Sequence, residues 1–68
     1  MDKGLLEYEM GKKHITADEM CERLKISRSA FYRKLRGVSE FTHSEMQDIA
    51  AIFGVEKMTE IFFTEEVS

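Results

Sequence analysis

The chain has 68 residues, with 43% hydrophobic content, no proline and one cysteine. A domain of this size buries only about 60% of its unfolded surface, so its stability must come from one compact apolar core, helped by any self-association. A single cysteine excludes an intramolecular disulfide. No apolar run approaches the ~20 residues that span a bilayer, and no signal-peptide pattern opens the chain. We therefore expect a cytoplasmic protein.

The formal net charge of −3 is unevenly distributed. Between Lys12 and Arg36, eight basic residues stand against three acidic ones, a local charge of +5. From Gly37 to Ser68 there is one basic residue against seven acidic ones, a local charge of −6. This distribution predicts one basic face that can meet an anion, while the acidic remainder limits indiscriminate binding. An overall pI near 5.3 means that any nucleic-acid binding must be local.

The front of the chain predicts two helices. The stretch "LLEYEMGKK" favours a short helix with Leu6 and Met10 facing inward, although Gly11 weakens it. Thr16, three residues before Glu19, forms a capping box that opens a second helix, "TADEMCERL". The apolar residues of that helix recur at helical spacing: Met20, Cys21 and Leu24.

A third helix follows after a very short connection. Ser27 can cap a helix that runs to about Arg36, and Gly37 would end it. Only two residues separate Leu24 from that cap. Helices joined so tightly must pack at a steep angle, so the sequence predicts a helix-turn-helix over about residues 16–36.

Two further helices complete the predicted fold. Thr42 with Glu45 opens the fourth, "THSEMQDIAAIF", whose apolar residues are Met46, Ile49, Ala50 and Phe53. Gly54 takes the place of a left-handed residue at its end. The stretch "EKMTEIFF" predicts a fifth short helix that closes the core with Met58, Ile61 and Phe62, within a C-terminal segment of about residues 56–68. The expected fold is all-α: one domain, residues 1–68, a compact bundle of four to five helices.

The third helix has two different faces. A rotation of about 100° per residue places Phe31 and Leu35 together, facing the core, flanked by Ala30 and the stem of Lys34. Ser29, Tyr32, Arg33 and Arg36 cluster on the roughly opposite face, and Arg28 projects from the first turn. A solvated helix face usually mixes both charges, but no acidic residue occurs between Lys25 and Val38. Such a face suits the major groove of B-DNA, where arginine can bridge guanine O6 and N7.

The stretch "ITADEMCERLKISRSAFYRKLRG" resembles the helix-turn-helix of the Cro and phage-repressor type, also called lambda-repressor-like. The positions that match its pattern are Thr16, Met20, Cys21, Leu24, Ile26, Ser27, Ser29, Phe31, Arg33 and Gly37. The tail "SEFTHSEMQDIAAIFGVEKMTEIFF" is similar to small phage-derived members, so the resemblance extends from Leu5 to Phe63. Two residues depart from it: Cys21 replaces the usual alanine, and Lys25 replaces the glycine of the turn.

The resemblance implies a set of DNA contacts. Base contacts would come from Arg28, Ser29, Arg33 and, in the groove or at a thymine methyl, Tyr32. Phosphate contacts would come from Thr16, Ala17, Ser27, Lys34 and Arg36. Lys25 adds a cation beside this face and a further expected phosphate contact, at a cost of about 1 kcal/mol if its φ is positive. The thiol of Cys21 is expected to be buried and inert.

Other classes of function have less support. His14, His43 and Cys21 fit no zinc spacing, and no catalytic arrangement or glycine-rich phosphate loop is present. We therefore expect no enzyme, no metal, no cofactor and no small-molecule substrate. The adjacent Ile61, Phe62 and Phe63 cannot all face inward from one short helix, so they either close the core or form a homodimer contact.

The sequence therefore predicts a small phage- or prophage-type transcriptional regulator, a Cro-like repressor in size. It would insert the recognition helix Ser27–Arg36 into the major groove of a double-stranded DNA operator, favouring a dimer on two half-sites. The alternative is a protein–protein interaction module. It would bind and modulate a repressor or another regulatory protein through its acidic and apolar C-terminal half.

Overall fold

A computed structural model describes residues 1–63, and within them the chain is all-α. Its five helices are α1 (Lys3–Lys12), α2 (Ala17–Leu24), α3 (Arg28–Leu35), α4 (His43–Phe53) and α5 (Val55–Phe63). No strand occurs in this part of the chain. The all-α prediction is confirmed, and the predicted C-terminal segment lies outside the described residues from position 64 onward.

The predicted starts of α2, α3 and α4 are confirmed by their capping geometry. Both capping boxes form completely, with Thr16 and Glu19 at the start of α2 and Thr42 and Glu45 at the start of α4. The Ser27 side chain caps α3 by accepting a hydrogen bond of 3.1 Å from the backbone N–H of Ala30. These side chains satisfy backbone donors that a helix start otherwise leaves without a partner.

Helix α1 begins earlier than its sequence indicates. The Asp2 carboxylate caps it by accepting a hydrogen bond of 3.0 Å from the Leu5 N–H. The backbone N–H of Asp2 also donates to the Ile61 carbonyl at 2.7 Å. The start of α1 is thus tied to the end of α5 by a contact between distant parts of the sequence, which a local pattern does not reveal.

The core lies between all five helices. It contains most of the inward residues predicted for the helices, together with Phe41 from the α3–α4 connection. The predicted Met46, Ala50, Met58 and Phe62 are only half-buried. The buried members are Leu6, Met10, Met20, Cys21, Leu24, Phe31, Leu35, Phe41, Ile49, Phe53 and Ile61. Phe41 stacks edge-on against Phe31 at 6.3 Å and against Phe62 at 5.4 Å between ring centroids. It therefore joins α3 to α5, a role that its position outside any helix conceals.

Gly54 departs from the predicted left-handed end of α4. Its φ of 100° is positive, but its ψ of 152° lies outside the left-handed helical region. Its N–H donates to the Ala50 carbonyl, while its own carbonyl accepts from the Met58 N–H. The residue therefore ends α4 and starts α5 directly, which lengthens the predicted fifth helix toward its N-terminus.

Candidate nucleic-acid interface

Helix α3 is anchored by two apolar side chains. Phe31 is fully buried and Leu35 nearly so, as their predicted positions on the inward face require. Helices α2 and α3 pack against each other, and the connection between them consists of Lys25, Ile26 and the capping Ser27. The helix-turn-helix pair is therefore present, and α3 is fixed on its inner side.

The outer face of α3 is exposed and basic. Its exposed side chains are those of Arg28, Ser29, Tyr32 and Arg33, joined by Arg36 at the C-cap. Among residues 1–63, neither Arg33 nor Arg36 forms an ion pair. Their guanidinium groups are thus available to an external anion. We call these five residues the α3 outer face.

Arg28 has two neighbours on the surface. Its Nε lies 3.2 Å from the Oδ1 of Asp18 in the first turn of α2. Its guanidinium carbon lies 5.9 Å from the centre of the Tyr32 ring, one turn further along α3. The sequence shows that α3 has no carboxylate, but it does not reveal the Asp18 contact, because a carboxylate ten positions away reaches Arg28 only through the helix pairing.

The turn before α3 adds two groups beside the outer face. Lys25 is exposed and adopts the left-handed conformation, with φ 59° and ψ 43°. The Ser27 oxygen accepts the Ala30 N–H, and a hydroxyl in that role can still donate its proton to a phosphate oxygen. Both residues therefore suit the phosphate contacts that the sequence predicts for them.

Lys34 does not belong to this surface. Its ammonium group is bound by both carboxylate oxygens of Glu45 in α4, at 2.5 and 2.7 Å, and the two side chains are 13% and 9% exposed. Burial raises the pKa of Glu45, but the hydrogen bonds from Lys34 and from the Thr42 N–H outweigh it and lower that pKa below its ordinary value. The side chain joins α3 to α4, and its burial in this ion pair counts against the phosphate contact that the resemblance implies for Lys34.

The first turn of α2 contains two acidic residues, Asp18 and Glu19. Glu19 accepts hydrogen bonds from the backbone N–H and the hydroxyl of Thr16, at 3.0 and 3.2 Å. These two bonds from Thr16 lower the pKa of Glu19. A charged carboxylate at this position repels a phosphate, so Thr16 and the half-buried Ala17 are weaker phosphate candidates than the sequence indicates.

The three apolar residues near the end of α5 have different environments. Ile61 is 1% exposed, which is a core position, the first of the two alternatives that the sequence leaves open for these residues. Phe62 is half-buried and packs on Phe41, whereas Phe63 is 60% exposed. Of the three, Phe63 is the one that an external partner can reach fully.

The remaining polar candidates are dispersed. Cys21 is buried, and burial raises the pKa of its thiol, as an inert role requires. The His43 ring contacts Gln47, and His14 is exposed in the α1–α2 connection. Within residues 1–63, no three histidine, cysteine or acidic residues are grouped as metal ligands. None of the described helices has the length and apolar character to cross a membrane.

One known domain family matches nearly the whole chain. The model of the BetR domain matches residues 3–66. The chain belongs to the BetR domain family. BetR domains are small helical domains of helix-turn-helix character, a class associated with DNA-binding regulation. This match supports the helix-turn-helix class that the sequence resembles. It does not assign the chain to the Cro or phage-repressor type. Neither the curated proteins nor the solved structures gave a match.

Proposed function

We propose that this BetR-domain chain is a small transcriptional regulator of phage or prophage type, and not an enzyme. It binds double-stranded DNA sequence-specifically and places α3 in the major groove of an operator. The observation that carries this proposal is the α3 outer face, a basic surface on the second helix of a helix-turn-helix pair. An α-helix fits the major groove, and the side chains of its first turns reach base edges.

The residues of the outer face have distinct proposed roles. Arg28 and Arg33 each bridge O6 and N7 of a guanine, the commonest specific contact of arginine. Ser29 hydrogen-bonds a base edge, and the Tyr32 ring packs on a thymine methyl group. Lys25, Ser27 and Arg36 bind flanking phosphates and fix the register of the helix, with Thr16 and Ala17 as weaker contributors.

A homodimer would extend this recognition to two half-sites. A single module buries little surface on DNA, so two copies about one helical turn apart (roughly 34–36 Å) would improve specificity. Val55, Thr59 and Phe63 are spaced by four residues and exposed along α5. This α5 stripe is the proposed dimer contact.

The central experiment is selection of bound sequences from a random double-stranded DNA pool at about 150 mM salt, where phosphate-only binding is weak. The proposal expects one enriched motif, and a palindrome if the chain binds as a dimer. Recovery of unenriched sequences, with the folded domain confirmed by circular dichroism, would exclude sequence-specific binding.

Arg33→Ala then tests the recognition helix directly. The loss of one bidentate guanine contact should weaken binding to the selected site by about 1–3 kcal/mol and relax the preference at one base position. Lys57→Gln is the matched control because it removes a cation from α5, outside the helix-turn-helix. Both affinities can be measured by fluorescence anisotropy. Equal affinity of Arg33→Ala and wild type would exclude α3 as the reading element.

One observation favours a second candidate, a protein–protein interaction module. Val55 and Phe63 are 68% and 60% exposed on α5, in the acidic half of the chain. Such a surface could bind and modulate a repressor or another regulatory protein. If the chain is such a module, Phe63→Ser should abolish its regulatory function, while Arg28→Ala and Arg33→Ala should leave DNA binding unchanged.

A further inference from the structure

We infer that Asp18 is a positioning residue for base reading: it orients Arg28 so that the two terminal guanidinium nitrogens, and not the Nε edge, meet a guanine. The inference rests on the proposed DNA binding by α3. It adds a residue outside the recognition helix and assigns it the geometry of a single contact.

The ion pair determines which edge of Arg28 is free. A guanidinium group donates from Nε and from two terminal nitrogens, so it can approach a guanine through either its Nε side or its end. Asp18 Oδ1 lies 3.2 Å from Nε, on the side edge. Asp18 takes up the Nε donor, and the Tyr32 side chain interacts with the same guanidinium group. Of its five N–H donors, those left on the two terminal nitrogens can bridge O6 and N7.

Tyr32 restricts the same group from another direction. Its ring centre lies 5.9 Å from the guanidinium carbon of Arg28, within the range of a cation–π contact. Because the residues are one turn apart on α3, the ring limits rotation of the long arginine side chain. A side chain held in its bound geometry loses less conformational entropy on binding.

Stability gives little reason for the Asp18–Arg28 pair. Their side chains are 68% and 64% exposed, and ion pairs at such exposure contribute little to folding. A carboxylate beside phosphates also lowers affinity for DNA of every sequence. Asp18 therefore lowers affinity for all DNA but restricts the geometry of Arg28, and this combination favours discrimination between sequences.

The inference predicts opposite effects on affinity and specificity. Asp18→Asn removes the charge and keeps the size of the side chain. It should raise affinity for unrelated DNA. It should also reduce the preference for guanine at the position read by Arg28, by about fivefold or more out of the five- to 150-fold that one bidentate contact provides.

Glu22→Gln is the matched control. Glu22 is exposed on the same helix, one turn after Asp18, and loses the same charge. It should raise general affinity similarly but leave base preference unchanged. The thermal midpoints of both variants should stay within about 4 °C of wild type, since no buried group changes.

The experiment selects DNA from a random pool with wild type, Asp18→Asn, Glu22→Gln, Arg28→Ala and the Asp18→Asn/Arg28→Ala double variant. The expected result is that Asp18→Asn and Arg28→Ala weaken the base preference at the same position, and that the double variant weakens it no further.

An unchanged motif in Asp18→Asn would overturn the inference while the wild-type motif still supports the proposed function. A further change in the double variant would show that Asp18 contacts a base itself, which also overturns the positioning role. Absence of any wild-type motif would overturn the proposed function as well.

Discussion

At the residue scale, the Lys34–Glu45 pair determines how α3 is held. Glu45 accepts hydrogen bonds from the Lys34 ammonium group and from the Thr42 N–H, at 2.9 Å for the latter, while its own N–H donates to the Thr42 hydroxyl. One carboxylate thus completes the cap of α4 and fixes the far end of α3. Removing one partner of a buried pair leaves an uncompensated charge.

Glu45→Gln should therefore lower the free energy of unfolding by about 2–4 kcal/mol at pH 7. In wild type, the lowered pKa of Glu45 contributes stability above its ordinary value of 4.5. That contribution is lost as pH falls through the folded-state pKa, because the unfolded chain takes up the proton first. The difference between the two proteins should shrink when urea unfolding is repeated at pH 3.

The exposed Glu40 provides the control for this comparison. Glu40→Gln removes the same charge from the α3–α4 connection and should leave stability nearly unchanged at both pH values. An equal loss for Glu45→Gln at pH 7 and pH 3 would mean that the side-chain amide fails for steric reasons, and that the ion pair is not the cause.

At the element scale, three helices end in the same motif. After α1, α2 and α3, an N–H bonds five residues back and the preceding N–H bonds three residues back, as in a Schellman end. The residues with positive φ in these ends are His14, Lys25 and Gly37. A left-handed conformation costs about 1–2 kcal/mol for residues other than glycine, so two of the three ends are strained.

Lys25 allows backbone strain and DNA contact to be separated. Lys25→Gly should raise the free energy of unfolding by about 0.5–1 kcal/mol, because glycine adopts the left-handed conformation without penalty. Lys25→Ala keeps the strain and should give no such gain. Both variants lose the cation, so both should reduce the slope of log K against log salt for DNA by about 0.9, the value of one phosphate contact.

Urea unfolding and anisotropy at three salt concentrations would measure these effects. If Lys25→Gly and Lys25→Ala were equally stable, the turn would carry no strain at this residue. If either variant kept the wild-type salt dependence, Lys25 would have no phosphate contact.

Local signals explain why most elements are predictable from the sequence. The caps at Thr16, Ser27 and Thr42 depend on residues three positions apart, so the starts of α2, α3 and α4 can be predicted. The Asp2–Ile61 hydrogen bond and the packing of Phe41 join distant segments. These contacts determine the start of α1 and the closure of the core, and neither can be predicted from helical periodicity.

At the scale of the whole molecule, the candidate site was partly predictable for the same reason. The α3 outer face follows from helical rotation alone, as does the burial of Phe31 and Leu35. The partners of Arg28 and Lys34 come from α2 and α4, at separations of ten and eleven residues. Only the assembled bundle shows that a carboxylate lies beside one arginine and that one lysine is held in an ion pair between two helices.

The assembled bundle also separates a core role from a dimer role in α5. Phe62→Ala removes a ring packed on Phe41 and should lower the free energy of unfolding by about 1–3 kcal/mol, less than for a fully buried phenylalanine.

Phe63 lies on the α5 stripe, so Phe63→Ser should change the free energy of unfolding by no more than about 0.5 kcal/mol. It should instead weaken self-association, measured by sedimentation velocity across a range of concentrations. Glu56→Gln, exposed in the first turn of α5, is the control for changes outside the stripe. A wild-type chain that stays monomeric both alone and on a palindromic site would contradict the dimer. A large loss of stability in Phe63→Ser would assign that ring to the core.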